Sequence, residues 1–340
     1  MENEREESCD VAIIGAGLSG LVAARELRKA GLRVQLFEKS RGLGGRMATR
    51  RLGEAHFDHG CQFFTVRGDL FREEVAAWEE GNLVAPWFNH LDPQGEASLL
   101  PERETLRYRV AGGMTAVAKF LGQGLPVRRQ HTISALRRKK GHWELSFAEH
   151  GRTFRAPFLL STAPVPQTLA LLDDDEAPGI QPALEPLRQI SYAPCFALML
   201  RLDQQPRFSP VGFFAPTDHP EIATLADNAA KGVSSRLGAV SILSTDTFAE
   251  ANFEEDPDDV TEKLLLASRP WLAGCEVLES SLRRWKFARV VVSHPDRGWL
   301  VSPQGLAFAG DAFGGQPRIE GAYLSGLWTA GEIRKIFATR

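Results

Sequence analysis

The chain is poor in several features that would otherwise assign it quickly. Its 340 residues contain four cysteines, Cys9, Cys61, Cys195 and Cys275. Their spacing matches neither a zinc site nor a CxxC redox pair, so no metal is expected and the thiols read as those of a reduced, cytoplasmic protein. No uninterrupted apolar run reaches the ~18 residues of a membrane span. The acidic opening MENEREESCD lacks the basic start and apolar core of a signal peptide. Basic charge is not in surplus: 40 Lys and Arg stand against 43 Asp and Glu, a net charge of −3. That balance gives no footprint for nucleic acid or an acidic membrane. The one compact basic run, RRKKGH at 137–142, lies between two strand-like segments and reads as a solvated hairpin turn. Internal repeats and low-complexity tracts are also missing.

What is present is a sizeable apolar fraction, 43%, enough to build a large core. The length suggests two domains or one large α/β unit. The clearest stretch is DVAIIGAGLSGLVAARELRKAGLRVQLFEKS, residues 10–40. VAII is a short β-branched run suited to a buried parallel strand. Leu18, Leu21, Val22 and Leu27 recur at helical spacing, Gly31 stops the helix, and RVQLFE is a second strand. This is a βαβ unit. A glycine-rich basic loop, RGLGGRMATRR, follows at 41–51, then a loop entering a short strand at 55–67. Residues 70–81 read as a helix with Trp78 on its apolar face, and 86–101 as irregular or β. A turn and helix at 108–125 precede a strand pair with a charged turn, and FLLSTAPVPQ is a further apolar strand. Residues 173–186 form an acidic, proline-rich connection. Alternating apolar segments between 190 and 292 suggest a separate mixed sheet, with a helix in DVTEKLLLASRPWLAG. GLAFAGDAF then returns as a strand, and EGAYLSGLWTAGEIRKIFATR is an amphipathic helix.

Gly15, Gly17 and Gly20 form a GxGxxG that follows a strand and opens a helix, with an acidic residue, Glu38, closing the second strand. That context marks a dinucleotide site. Gly15 permits the tight turn, Gly17 lets backbone N–H groups approach a pyrophosphate, and Gly20 lets helix and strand pack closely. The helix N-terminus offers N–H groups and a favourable dipole to the phosphates. Glu38 accepts hydrogen bonds from ribose hydroxyls. The fingerprint does not choose between NAD and FAD. Gly45 and Arg46, soon after the second strand, favour FAD, because a guanidinium matches phosphate geometry with paired donors. Ser19, Lys39, Arg41 and Met47 complete the candidate set in this region.

The segments GAGLSGLVAARELRKAGLRVQLFEKSRGLGGRMATRR, FDHGCQFFTVR, RWKFARV and GDAFGGQPRIEGAYLSG, in that order, resemble the flavin-containing amine oxidase superfamily, and within it the renalase-like branch. The resemblance implies that a late strand rejoins the first sheet and ends in Gly310 and Asp311, with Asp311 bonding the ribityl or phosphate part of FAD. It implies that the helix beginning near Glu320, Gly321 and Ala322 points its N-terminus at the pyrimidine edge of the flavin ring. Ile133 falls where the family gives backbone contacts to adenine, and Gly60, Gln62 and Phe63 fall near the ring. No cysteine lies at 310–326, where some relatives attach FAD, so non-covalent FAD is expected. Trp285 and Lys286 are the catalytic-side candidates; His59 adjoins the same loop and either joins the site or caps it.

The implied fold is α/β: a discontinuous Rossmann-like FAD-binding domain at 1–67, 105–166 and 285–340, with an inserted mixed or antiparallel sheet at 68–104 and 167–284. The implied function is that of an FAD-dependent oxidase taking hydride from dihydropyridine isomers of NAD(P)H, with molecular oxygen as acceptor. Three tyrosines against 20 phenylalanines do not point to the paired-tyrosine cage common around amine substrates. A flavin amine oxidase or desaturase of the same fold, and a non-catalytic FAD-binding protein, remain open alternatives. Partners are limited to a small-molecule substrate and oxygen.

Overall fold

The structure is a computed structural model that describes residues 8–100, 105–172 and 179–339. The opening residues on which the signal-peptide reading rests, and the start of the acidic connection, lie outside them. The chain divides into two compact units. One comprises Met1–Gly45, Ala118–Ser191 and Val290–Arg340; the other comprises Arg46–Val117 and Tyr192–Arg289. These cuts differ from the expected domain limits. Residues 46–67, 105–117 and 285–289 belong to the second unit, and 167–191 to the first. The reason for the first shift is a hairpin. Thr49–Leu52 pairs antiparallel with Ala55–Asp58 where a loop was expected, and Asp58 is tied to Asn228 and Ser241.

The first unit is built on a six-stranded sheet in the order Val127–Arg129, Val34–Glu38, Val11–Ile14, Phe158–Ser161, Leu306–Phe308, Trp299–Val301. All neighbours run parallel except the last pair. The central strands VAII and FLLS are buried along their whole length, as parallel strands covered on both faces must be. A second, antiparallel sheet holds Ile133–Lys139, His142–Phe147 and Thr153–Ala156. Its charged turn, Lys140-Gly141, has φ of 47° and 82°, the double positive φ of a tight two-residue hairpin. The first long helix, Leu18–Lys29, ends before Gly31, whose φ of 84° turns the chain. It packs on the last helix, Ile319–Ala338. There the Ser19 hydroxyl donates to the Ala322 carbonyl at 2.7 Å, and Gly326 lies against the Ser19 backbone.

The second unit carries a five-stranded sheet in the order Phe213–Phe214, Ile222–Asp227, Ala239–Ser244, Ser191–Leu202, Val277–Val292. The first three junctions are antiparallel. Phe196, Leu198, Leu200, Val240 and Ile242 build its core with Phe248, Val260 and Leu264 from two helices, Asp246–Asn252 and Pro257–Ser268. Those helices start at side-chain caps, Thr245 accepting from Phe248 N–H and Asp256 from Asp258 N–H. The strand Ile222–Asp227 was not anticipated: IATLAD has little β-branched content, and its pairing with Ala239–Ser244 carries it. A small sheet of Phe64–Thr65, Arg107–Val110 and Val84–Phe88 completes the unit.

The helix contact predicts opposite outcomes for one substitution. A Cβ on Gly326 would stand 2.4 Å from the Ser19 carbonyl oxygen, whereas one on Gly331, in the same helix, meets nothing within 4 Å. Gly331→Ala should stabilise by about 1 kcal/mol through helix propensity. Gly326→Ala should destabilise by ~1–3 kcal/mol through overpacking. Thermal unfolding of the two variants side by side measures both signs.

Candidate functional site

Two groups of the candidate residues assemble, one in each unit. In the first unit, Gly15 has φ of 96° and a Cβ there would lie 2.8 Å from Thr162 Oγ1; a Cβ on Gly20 would lie 2.2 Å from the Gly15 carbonyl oxygen. Both positions therefore demand glycine on steric grounds. Gly17 caps the first helix without a side-chain hydrogen bond, and a Cβ there would meet nothing within 4 Å. Glu38 is buried; its carboxylate accepts one N–H from Ala16 at 2.9 Å and one from Ser40 at 2.8 Å. Each oxygen keeps further acceptor capacity. Ile133 opens the antiparallel sheet two residues after His131, whose N–H donates to the Glu38 carbonyl at 3.0 Å.

The C-terminal segment joins this group. Gly310 N–H donates to Ser325 Oγ at 3.0 Å, directly after the strand Leu306–Phe308. Asp311 and Gly321 are half-buried, and Ala322 is buried at the contact with Ser19. Glu320 lies in the first turn of the last helix, which also lacks a side-chain cap. Ser19 thus places two uncapped helix N-termini side by side. Gly45 backs onto the Gly17 Cα, and Gly44 bridges Gly17. Lys39 and Arg41 are exposed on the surface.

In the second unit, three motifs that are distant in sequence converge. A Cβ on Gly60 would lie 2.2 Å from the Arg46 carbonyl oxygen, and Cys61 N–H donates to that same oxygen at 2.8 Å. Arg46 itself donates to the Ala288 carbonyl at 3.3 Å and lies over the Tyr192 ring at 5.8 Å. Met47 is buried, its carbonyl accepting from Thr115 Oγ1. Trp285 Nε1 donates to the His59 carbonyl at 2.8 Å, and the two rings stack at 5.3 Å and 18°. Gln62 donates to the Asp58 and Gly60 carbonyls. Phe63 packs edge-on to Phe88 and Phe213. Lys286 is exposed, with its amine 5.9 Å from the Phe287 ring centre.

Two buried polar atoms in this loop have no hydrogen-bond partner: His59 Nδ1 and Gln62 Oε1. Such atoms are costly unless a ligand satisfies them. Burial, opposed by the nearby Asp58 charge, holds His59 below the usual imidazole range. Burial also pushes the Cys61 thiol up to about 11. Sequence reasoning missed what fixes this loop. Lys231 Nζ meets Asp58 Oδ2 at 2.6 Å with both side chains fully buried. Asp58 Oδ1 accepts Met114 N–H and Thr49 Oγ1. Nothing in LADNAAKG marks its lysine as buried.

Two family models match the chain, and each runs across both units. Residues 13–73 match the NAD(P)-binding Rossmann-like domain, and residues 79–334 match the family described as flavin containing amine oxidoreductase. A 1-hydroxycarotenoid 3,4-desaturase of Flavobacterium sp. is 44% identical over 54 residues, 16% of this chain and 11% of the relative. The flavin-dependent L-tryptophan oxidase RebO of Lentzea aerocolonigenes is 50% identical over 44 residues, 13% of this chain and 9% of the relative. The matched segments thus span about a tenth of these relatives' lengths. A solved triple mutant of putrescine oxidase shares the fold at a TM-score of 0.66 and 14% identity, over 98% of this chain and 99% of that one. No helix among the described residues is long and apolar enough to cross a membrane.

FAD is the cofactor, and the first unit suits a dinucleotide: two uncapped helix ends, a carboxylate with acceptor capacity left and open space before Gly17. Glu38→Ala removes an acceptor for a ribose hydroxyl, worth ~1.5–3 kcal/mol where the bond is buried. The variant should retain FAD about 10- to 100-fold more weakly, measured by titrating apoprotein. Independently, Lys231→Met leaves Asp58 buried and unpaired, which should cost ~3–5 kcal/mol. The double variant with Asp58→Asn should recover part of that loss in a denaturant melt.

Proposed function

The chain belongs to the family of flavin-containing amine oxidoreductases, and from that premise we propose that it is an FAD-dependent oxidase that takes a hydride from 2- and 6-dihydro isomers of NAD(P)H. Bound FAD supplies the two-electron acceptor, with molecular oxygen as the final one. Gly15, Gly17, Ser19, Gly20 and Glu38 of the first unit would hold the adenosine and phosphates, and Ile133 would serve the adenine. Gly310, Asp311 and the helix start at Glu320, Gly321 and Ala322 serve the ribityl chain and ring edge. By the family resemblance, Gly60, Gln62 and Phe63 would serve the flavin ring, Arg46 the phosphates, and Trp285 and Lys286 the substrate.

The observation that carries this reading is the proton chemistry of the converged loops. Cys61 stays a thiol, with burial pushing it up to about 11. Burial holds His59 below the usual imidazole range and so weakens it as a proton acceptor. Among the described residues the Cys61 thiol donates only to the Phe63 carbonyl, and His59 Nδ1 has no partner. A dihydropyridine that gives up hydride becomes an aromatic pyridinium and has no proton to lose. It needs orientation alone, which stacked rings such as His59 and Trp285 provide.

An amine or amino acid is the second reading, favoured by the relatives named as an L-tryptophan oxidase and a putrescine oxidase. The tyrosines of the second unit give it little support: Tyr108 stacks on Phe64 and Tyr192 meets Phe287, so they do not face each other as a cage.

Anaerobic mixing of the flavin-loaded protein with a substrate panel decides the matter. The dihydropyridine isomers should reduce the flavin rapidly, and ordinary 4-dihydro NADH about 100-fold more slowly, since ~1 Å of misplacement costs that much. Rapid reduction by amines or amino acids, with the isomers inert, replaces this reading by the second. Reduction by dithionite alone leaves a desaturase or a non-catalytic flavoprotein.

A further inference from the structure

We propose that Arg107 is a specificity-determining residue that binds an anionic group, carboxylate or phosphate, on the substrate. The proposal rests on the function above for the position of the substrate, and adds its charge. Arg107 is the first residue of the strand Arg107–Val110, held between two neighbours in register: Thr65 on one side and Phe88 on the other. Its guanidinium carbon lies 5.6 Å from the Phe63 ring centre and 5.0 Å from that of Phe88. Phe63 directly follows Gln62, whose buried Oε1 lacks a partner. The guanidinium is therefore one aromatic ring away from the loop assigned to the flavin.

Among the described residues no carboxylate meets this half-buried arginine, whereas several others are ion-paired. Arg33, Arg155 and Arg201 meet Asp10, Glu144 and Glu279. Arg107 forms no ion pair among the described residues, and its one side-chain hydrogen bond there is a 3.3 Å contact to the nearby Thr105 carbonyl. Burial alone lowers its basicity, with no neighbouring charge acting on it. Two phenyl rings, at 78° to each other, lie within cation–π reach of the guanidinium and offer its N–H donors no acceptor, so that a carboxylate or phosphate can accept paired bonds from them. A partly dehydrated cation of this kind gains most from an anion that arrives with the ligand.

The test uses the flavin-loaded protein and three probes of similar size: benzoate, phenyl phosphate and benzamide. Each is titrated while the visible spectrum of the bound flavin is followed. The expected result is that at least one anion binds about 10- to 100-fold tighter than benzamide, the range of a charge-assisted hydrogen bond. Arg107→Gln should abolish that preference, and Arg107→Lys should keep part of it, with flavin content unchanged in both. Benzoate alone indicates a carboxylate substrate, phenyl phosphate alone a nucleotide-like one, and both together a general anion seat. Should Arg107→Gln not fold, added salt on the parent protein gives the same answer: anion affinity must fall while benzamide affinity holds. Equal affinity for all three probes, or an undiminished preference in Arg107→Gln, overturns the proposal. A protein that binds flavin and oxidises a substrate yet ignores probe charge refutes only the anchor; one whose flavin no substrate reduces refutes the function beneath it.

Discussion

The contact between the first and last helices organises the first unit. One hydroxyl, that of Ser19, reaches the Ala322 carbonyl across a separation of 303 residues. The backbones come this close because Gly326 presents no side chain to Ser19. The contact aligns two helix starts that no side chain caps, so their N–H groups and the positive ends of their dipoles act in one neighbourhood. The sheet sets where those starts lie. Val11–Ile14 and Leu306–Phe308 flank the same strand, Phe158–Ser161, and each leads into one of the two glycine-bearing turns.

The second unit depends on a single carboxylate in a comparable way. Asp58 gathers Thr49, Met114 and Lys231 onto its two oxygens, while its backbone N–H and carbonyl meet Asn228 and Ser241. Five strangers in sequence are thereby fixed to one residue. The next residue, His59, has little freedom left and stacks on Trp285. A buried ion pair is poor evidence of net stability, but it is well suited to holding one geometry.

The parts of the fold legible in the sequence were those set by local pattern. VAII, the glycine turn, the helix to Lys29 and the strand ending at Glu38 form where the spacing places them, because sheet burial and helix periodicity are short-range signals. The charged hairpin at Lys140 and Gly141 was equally readable. Ile222–Asp227 was not, since its partner strand rather than its composition makes it a strand. The hairpin at Thr49–Leu52 was hidden by its arginines, which read as a loop. In the candidate site, the glycine turn and the buried Glu38 carboxylate adopt the local geometry that the spacing led one to expect. Lys231, and Arg107 on its two rings, did not, because each derives its character from residues more than 15 positions away.

The span between Ser19 and Ala322 also bears on how the protein is made. Ribosomes add ~5–20 residues per second, so about 15 to 60 s separate the emergence of these two partners. Until the later one arrives, the helix at Leu18–Lys29 has no mate for the face that carries Ser19. The fully apolar strand Val11–Ile14 likewise waits for Phe158–Ser161 before it is paired on both sides. Assembly of the first unit is therefore a late, long-range event of the kind that folds slowly and leaves sticky surface exposed in the interval.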